Sequence, residues 1–248
     1  MSETFVLVHG AWHGGWAWQP VAARLRAAGH RVLAPTSPGL AVDDDPRDVT
    51  LADCADALVD RIERLDLYDV TVVAHSWGGY VIGGAERRLA GRLKQVVFYS
   101  AFVPRAGESL RDALPPGMKT AFDELSRASG NNTVGVPFEL FASSFMQDAD
   151  EAAARVVCEL LRPQPYRTMT DAPTADMTPS GVDVPSAYVV GADDHTLPPG
   201  EYGWVPRFPE RLGDVPVVRA PGSHEALFTR PDELSRTLLD LVGLVNSA

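Results

Sequence analysis

The stretch Val70-Thr71-Val72-Val73-Ala74-His75-Ser76-Trp77-Gly78-Gly79-Tyr80-Val81 decides the fold. A β-branched run suited to a strand meets a serine with small residues two positions before and after it, then leaves into sequence of helical character. A strand that reverses sharply into a helix strains the residue at its tip, and small neighbours let the two elements pass without a clash. Ala74 and Gly78 are those neighbours, so the stretch fits the pattern G-x-S-x-G with Ala for the first Gly, a change of one methyl group. Ser76 would then stand exposed above a sheet. A Ser-x-Gly-Gly after a strand can also be a plain turn, so the flanking sequence has to choose.

Toward the N-terminus, Phe5-Val6-Leu7-Val8 is a short apolar run suited to a strand buried on both faces, broken by the Gly-rich His9-Gly10-Ala11-Trp12-His13-Gly14-Gly15-Trp16. A helix is expected from Trp16 to Ala28 with Gly29 as its stop, then a strand at Arg31–Ala34. Thr50-x-x-Asp53 caps a helix with the apolar face Leu51, Ala55, Leu58, Ile62 and Leu65, which delivers the chain to Ser76. Asp43-Asp44-Asp45-Pro46 is a solvated loop with no second ligand cluster near it.

Past Ser76, the spacing predicts a helix over 79–93 and a strand at Gln95–Tyr99. The strand–helix alternation resumes at Ser186–Val190 and Val215–Arg219, and ends in a helix started by Pro231 and buried through Leu234, Leu238 and Leu241. The expectation is one α/β domain: a mostly parallel six-stranded sheet with helices on both faces, built from 1–103 and 186–248. Residues 104–185 interrupt it with helical patches at 119–129 and 138–161, many prolines and no clear strand, and read as a helical lid.

The 248 residues, 45% hydrophobic and 22% charged, suffice for one domain with a large core. A net charge of −11 repels phosphate backbones and anionic lipids, so nucleic acid and membrane are not expected partners. The N-terminus lacks the basic and long apolar regions of a secretory signal, and no apolar stretch reaches the ~20 residues of a membrane span, so a cytoplasmic protein is expected. Cys54 and Cys158 have no Cys or His at metal-ligand spacing and are expected as buried apolar side chains. No metal or other cofactor is expected.

Reactive groups in an open α/β sheet gather at the carboxyl ends of the strands. His9-Gly10-Ala11, Ser76, Asp193-Asp194 and His224 all fall there. A serine hydroxyl is a poor nucleophile at neutral pH; it needs a neutral imidazole to take its proton and a buried carboxylate to hold that imidazole. The chain supplies these in the order Ser, Asp, His.

On Phe5 to Trp16, Ala74 to Gly79, Ala192-Asp193-Asp194-His195-Thr196-Leu197-Pro198 and Gly222-Ser223-His224, the chain resembles the α/β-hydrolase superfamily. Within it the resemblance is to the plant methylesterase and hydroxynitrile lyase group with its bacterial relatives, over essentially the whole length. It implies Ser76 as nucleophile, His224 as general base and then acid, and Asp194 as orienting carboxylate, with Asp193 as the competing choice. The backbone amides of Ala11 and Trp77 are the expected oxyanion donors. Trp12, Trp77 and Phe102 are expected to line an apolar pocket for a compact or aromatic acyl group.

The hydroxynitrile lyases of that group carry a Lys after the catalytic His and a Thr in the first oxyanion loop, where this chain has Glu225 and Ala11, so C–C lyase chemistry is not expected. Glu225 is read as an outward charge at the start of a helix; pointing inward, it would raise the pKa of His224 or select a polar or cationic substrate. The other histidines are read as hydrogen-bonding backbone in turns (His9, His13, His75), ending a helix (His30) or facing solvent (His195). The expected function is hydrolysis of small carboxylic esters, aromatic or methyl esters among them, through an acyl-enzyme. The alternative is a cyclase, a lyase or a weakly catalytic binder on the same fold, and a homodimer is compatible with either.

Overall fold

The computed structural model describes residues 2–176 and 184–245. Six strands form one sheet: β1 (Thr4–Val8), β2 (Arg31–Leu33), β3 (Val70–His75), β4 (Leu93–Tyr99), and, after a further short pair β5 (Thr133–Val134) and β6 (Gln164–Pro165), β7 (Ser186–Gly191) and β8 (Val217–Ala220). The order across the sheet is β2-β1-β3-β4-β7-β8, and each neighbouring pair is parallel.

The β-branched runs explain why both faces are covered. Alternate side chains of a strand point to opposite faces, and here both sets are apolar. Val6, Val72, Val96 and Phe98 enter one core, Phe5, Leu7, Val73, Val97 and Tyr99 the other. Helices α1 (Gln19–Ala27), α2 (Leu51–Arg64) and α3 (Gly78–Leu89) follow the first three strands. Val21, Ala22 and Leu25 of α1 share a core with Leu234, Leu238 and Leu241 of the C-terminal helix, while Leu58 and Ile62 of α2 share the other with Tyr80 and Val81 of α3. Each Val, Leu or Ile among them, fully buried, contributes on the order of 2 kcal/mol. Helix α2 starts at the expected box: Thr50 Oγ1 accepts from the Asp53 amide at 3.1 Å, and Asp53 Oδ2 from the Thr50 amide at 2.8 Å.

The helix expected over 16–28 is two pieces, a 3₁₀ turn at Gly15–Trp18 and α1. Pro20, which has no amide hydrogen and is tolerated only in a first turn, sets the restart.

Between β4 and β7 lie α4 (Leu110–Ala113), α5 (Pro116–Ser129), α6 (Phe138–Leu140), a wide π turn (Phe141–Phe145), α7 (Glu151–Leu160) and α8 (Arg167–Thr170). The helical patch expected over 138–161 is broken, because Asp150 accepts from the Ala153 amide at 2.8 Å and starts α7 afresh. The stretch also contains strands where none was expected: β5 and β6 pair antiparallel, Thr133 with Pro165 and Val134 with Gln164. Trp12 fixes both, its Nε1 donating to the Val134 carbonyl at 2.8 Å and its amide to Gln164 Oε1 at 2.9 Å. Residues 177–183 of the expected insertion lie outside the described residues. The C-terminal part adds α9 (Ala226–Thr229) and α10 (Pro231–Val245). Cys54 is buried as expected; Cys158, on α7, is only partly so.

Candidate active site

Ser76 sits between β3 and α3 with φ of +52°, the left-handed conformation that side chains avoid. Its backbone is held from three sides. The Ser76 amide donates to the Tyr99 carbonyl at 3.3 Å, and its own carbonyl accepts from Gly79 and Phe102, each at 3.2 Å. The two glycines that follow are required by crowding: a Cβ on Gly79 would lie 1.8 Å from the Phe102 carbonyl oxygen, and one on Gly78 2.9 Å from that of His9.

His224 lies on the loop between β8 and α9. Gly191, at the end of β7, lets the two loops meet, since a Cβ there would fall 2.8 Å from the Ser223 carbonyl oxygen. Across that approach Nδ1 of His224 faces Oδ2 of Asp194 at 2.7 Å, with both side chains almost wholly buried. The Thr196 hydroxyl and amide donate to the other carboxylate oxygen at 2.6 and 3.0 Å. Burial alone would push the Asp194 carboxyl up; the His224 charge and hydrogen bonds from His224, Thr196 and Ser100 outweigh it and hold the carboxyl below the usual range. Burial pulls His224 down, but the charge and hydrogen bond of Asp194 raise it above an ordinary imidazole. Asp193, by contrast, has an exposed side chain, and it is its backbone that is engaged, the amide donating to the Gly222 carbonyl at 3.0 Å.

The imidazole of His224 is fixed by its surroundings. The Trp204 ring stacks on it at 5.5 Å, Phe145 meets it edge-on at 5.5 Å, and the His75 ring lies 4.6 Å away. Its carbonyl accepts from Tyr99 Oη at 3.1 Å and from His75 Nε2 at 3.2 Å. Trp204 also donates from Nε1 to the Thr196 hydroxyl at 3.1 Å.

Ser76 and His224 open into one narrow cavity of about 30 Å³. Ala11, Trp12, Trp77 and Phe102 line it, as do Leu110, Leu114, Met118, Phe122 and Met169 from the insert. Apart from His224, no titratable side chain lines it. Among the described residues the amides of Ala11 and Trp77 make no hydrogen bond within the chain. Trp77 is anchored through Nε1 to the Thr168 carbonyl at 3.0 Å.

Sequence reasoning passed over the supports of this arrangement: Thr196, Ser100 and Trp204 around the Asp–His pair, and Gln164 beneath Trp12. Only Thr196 lies in a stretch whose pattern drew attention; the others are brought in by distant segments.

Glu225 requires a correction. Its side chain is 1% exposed and points inward, 3.5 Å from Nε2 of His13. Burial, together with the Asp194 and Asp148 charges, pushes the carboxyl up to about 8 against the opposing pull of His224. Burial likewise keeps His9, His13 and His75 neutral, His9 down to about 4 and His13 to about 3 despite carbonyl bonds from both. All three bond backbone as expected: His9 Nδ1 to the Gly10 carbonyl at 2.8 Å, His13 Nδ1 to the Ala11 carbonyl at 2.7 Å, and His75 to His224 as above. His75, His224 and Glu225 also form the one set among the described residues with metal-ligand atoms within 4.8 Å of one another, but Asp194 and a carbonyl already engage a nitrogen of each histidine.

Residues 5–237 match the alpha/beta hydrolase family. The carbendazim hydrolyzing esterase of Nocardioides sp. (strain SG-4G) is 45% identical over 124 residues, 48% of this chain and 51% of that protein, so this match spans about half of each. Putative methylesterase 19 of Arabidopsis thaliana is 29% identical over 96% of this chain and 97% of its own length. Among solved structures, an extracellular alpha/beta-hydrolase from a Paenibacillus species, described as sharing structural and functional homology with tobacco salicylic acid binding protein 2, superposes with a TM-score of 0.90. It is 31% identical over 96% of this chain and 98% of that one. The chain belongs to the alpha/beta hydrolase family.

Proposed function

We propose that this member of the alpha/beta hydrolase family hydrolyses small, uncharged carboxylic esters through an acyl-enzyme on Ser76. The observation that carries the reading is the opening of Ser76, on its strained turn, and His224, bonded at 2.7 Å to buried Asp194, into one apolar cavity. The relatives named as esterases and methylesterases support ester chemistry.

The ester carbonyl carbon enters beside Ser76. His224 takes the hydroxyl proton as the Ser76 oxygen bonds to that carbon, and the carbonyl oxygen becomes an oxyanion facing the free amides of Ala11 and Trp77. Such a donor typically lowers the barrier by about 3 kcal/mol. The imidazolium is stabilised by Asp194, then protonates the leaving alcohol; water attacks the acyl group by the same steps and frees the acid. A cavity with no charged group apart from His224 favours neutral, compact acyl and alcohol groups, and desolvating a charged one there would cost several kcal/mol. The stretch 104–185 serves as the lid, a role supported by the insert side chains in the cavity lining. Among the described residues no helix is long and apolar enough to cross a membrane; the negative net charge fits a free small-molecule ester as substrate.

Reaction with a fluorophosphonate, read by intact mass and peptide mapping beside a short-chain aryl ester assay, tests the reading. One adduct on Ser76 with turnover, both lost in Ser76→Ala with the fold retained, is expected. Turnover that survives Ser76→Ala overturns it.

A further inference from the structure

We propose that Glu225 and His13 share one buried proton and act as a positioning pair, tying the loop that carries the Ala11 amide to the loop that carries His224. The inference rests on the ester-hydrolase reading for its catalytic consequence, though not for the proton itself.

The tautomer of His13 follows from its partners. Nδ1 lies 2.7 Å from the Ala11 carbonyl, an acceptor only, so Nδ1 carries the hydrogen. Nε2 of the neutral ring is therefore a bare lone pair. It faces Oε2 of Glu225 at 3.5 Å, and Nε2, Oε1 and Oε2 have no other hydrogen-bond partner. An ionised carboxylate there would set acceptor against acceptor in a buried space, at a cost native structures avoid. One proton resolves the contact, as Glu225 O–H donating to Nε2. The rings of Trp16, Phe141 and Phe228, 5.6 to 6.4 Å from that of His13, wall the pair from water.

The groups facing Glu225 come from every element packed against it, and among them the anions oppose its charge while His224 favours it. His13 comes from the loop after β1, His75 from the end of β3, Tyr99 from β4, Asp148 from the insert, Asp194 from the loop after β7, and His224 is its chain neighbour. Burial disfavours a charge on Glu225, and Asp194 and Asp148 add to it against the pull of His224, so the carboxyl is pushed up to about 8.

The linkage has a catalytic consequence. The His13 ring holds the Ala11 carbonyl, whose own residue supplies an oxyanion amide, and Glu225 follows His224 directly. With the proton present, the two loops are joined by a hydrogen bond; when it leaves on the alkaline side, the carboxylate repels the Nε2 lone pair and the join is lost. A misplacement of the oxyanion donor by a fraction of an ångström to 1 Å costs up to about a hundredfold in rate.

The test uses the full chain. In the unsubstituted protein at neutral pH, infrared difference spectroscopy with isotope-labelled glutamate is expected to show a carboxylic-acid carbonyl band that Glu225→Gln removes and that titrates away on the alkaline side. For activity, Glu225→Ala is expected to lower kcat on the order of tenfold with a smaller change in KM. Glu225→Gln, whose amide can donate to Nε2 and does not titrate, is expected to recover most of that loss and to abolish the alkaline fall in kcat. Absence of the band at neutral pH, or an alkaline fall that persists in Glu225→Gln, overturns the proposal. The Gln variant and the infrared band decide the matter whether or not Glu225→Ala folds. Failure of the ester-hydrolase reading is separate: it would show as no Ser76-dependent turnover while the infrared band stands.

Discussion

Nδ1 of His224 and Oδ2 of Asp194 meet at 2.7 Å inside the protein, whereas the side chain of Asp193, one residue away, is exposed. A buried carboxylate at that nitrogen fixes the tautomer that leaves the other nitrogen free to act as base. Asp194→Asn is therefore expected to lower kcat by roughly three to four orders of magnitude, as loss of the orienting carboxylate does in serine hydrolases generally. Asp193→Asn is expected to stay within about twofold, as exposed substitutions do. Parallel kinetics on the two variants check this, and a larger loss at Asp193 would reverse the assignment.

The pH profile follows from the same pair. In the proposed mechanism His224 must be neutral to take the Ser76 proton, and Asp194 raises its pKa above the ordinary imidazole value of 6.5. The acid limb of kcat/KM should therefore have its midpoint above 6.5, activity falling as pH drops through it. In Asp194→Asn the residual activity should show that limb displaced to lower pH, because only burial, which disfavours the charge, remains dominant. For stability, the charged His224 contributes fully below 6.5 and the contribution is lost as pH rises through the raised value. The depressed Asp194 contributes above 3.8 and is lost as pH falls below it. A pH series of thermal melts alongside the kinetics separates the two.

Gly79 measures the strain of the turn. A Cβ there would press to 1.8 Å on the Phe102 carbonyl oxygen, a backbone atom that cannot rotate away, whereas at Gly91 nothing lies within 4 Å. Gly79→Ala is expected to destabilise by at least about 3 kcal/mol, in the range reserved for core and backbone clashes. Gly91→Ala should be neutral or stabilise by up to about 1 kcal/mol through the unfolded chain. Urea unfolding of both gives the difference directly.

These sites differ in how far the chain announced them. Ser76 was legible because its signal is local: β-branched residues, a small residue, serine and two glycines within one turn of chain. The sheet was legible because strands buried on both faces are continuous apolar runs. Glu225 was not, since a charge at a helix start is ordinarily solvated, and its burial depends on two other segments, one carrying His13 and the other Phe145 and Asp148. The pair β5–β6 escaped for a related reason. Two residues are too few to show an alternation, and what fixes them is the indole and amide of Trp12, far earlier in the chain.

The last prediction concerns the insert as part of the catalytic frame. Asp148, between the π turn and α7, accepts through one oxygen from the Thr229 hydroxyl at 2.7 Å and the Ser223 amide at 3.3 Å, on either side of His224. Nearby, the Phe145 carbonyl accepts from the Glu225 amide at 3.1 Å, and Gln147 Nε2 donates to the Asp193 carbonyl. One short segment thus clasps the loops of both His224 and Asp194. Asp148→Ala leaves the buried Ser223 amide and the part-buried Thr229 hydroxyl unpaired and is expected to cost about 2 kcal/mol, a fall in Tm of roughly 4–8 °C for a chain of this size. Asp148 does not line the cavity, so kcat should fall more than KM rises. Thr229→Val removes one of the orphaned donors, and the double variant should therefore be less damaged than the sum of the singles. Strict additivity, or a loss confined to KM, would mean that the segment merely covers the site.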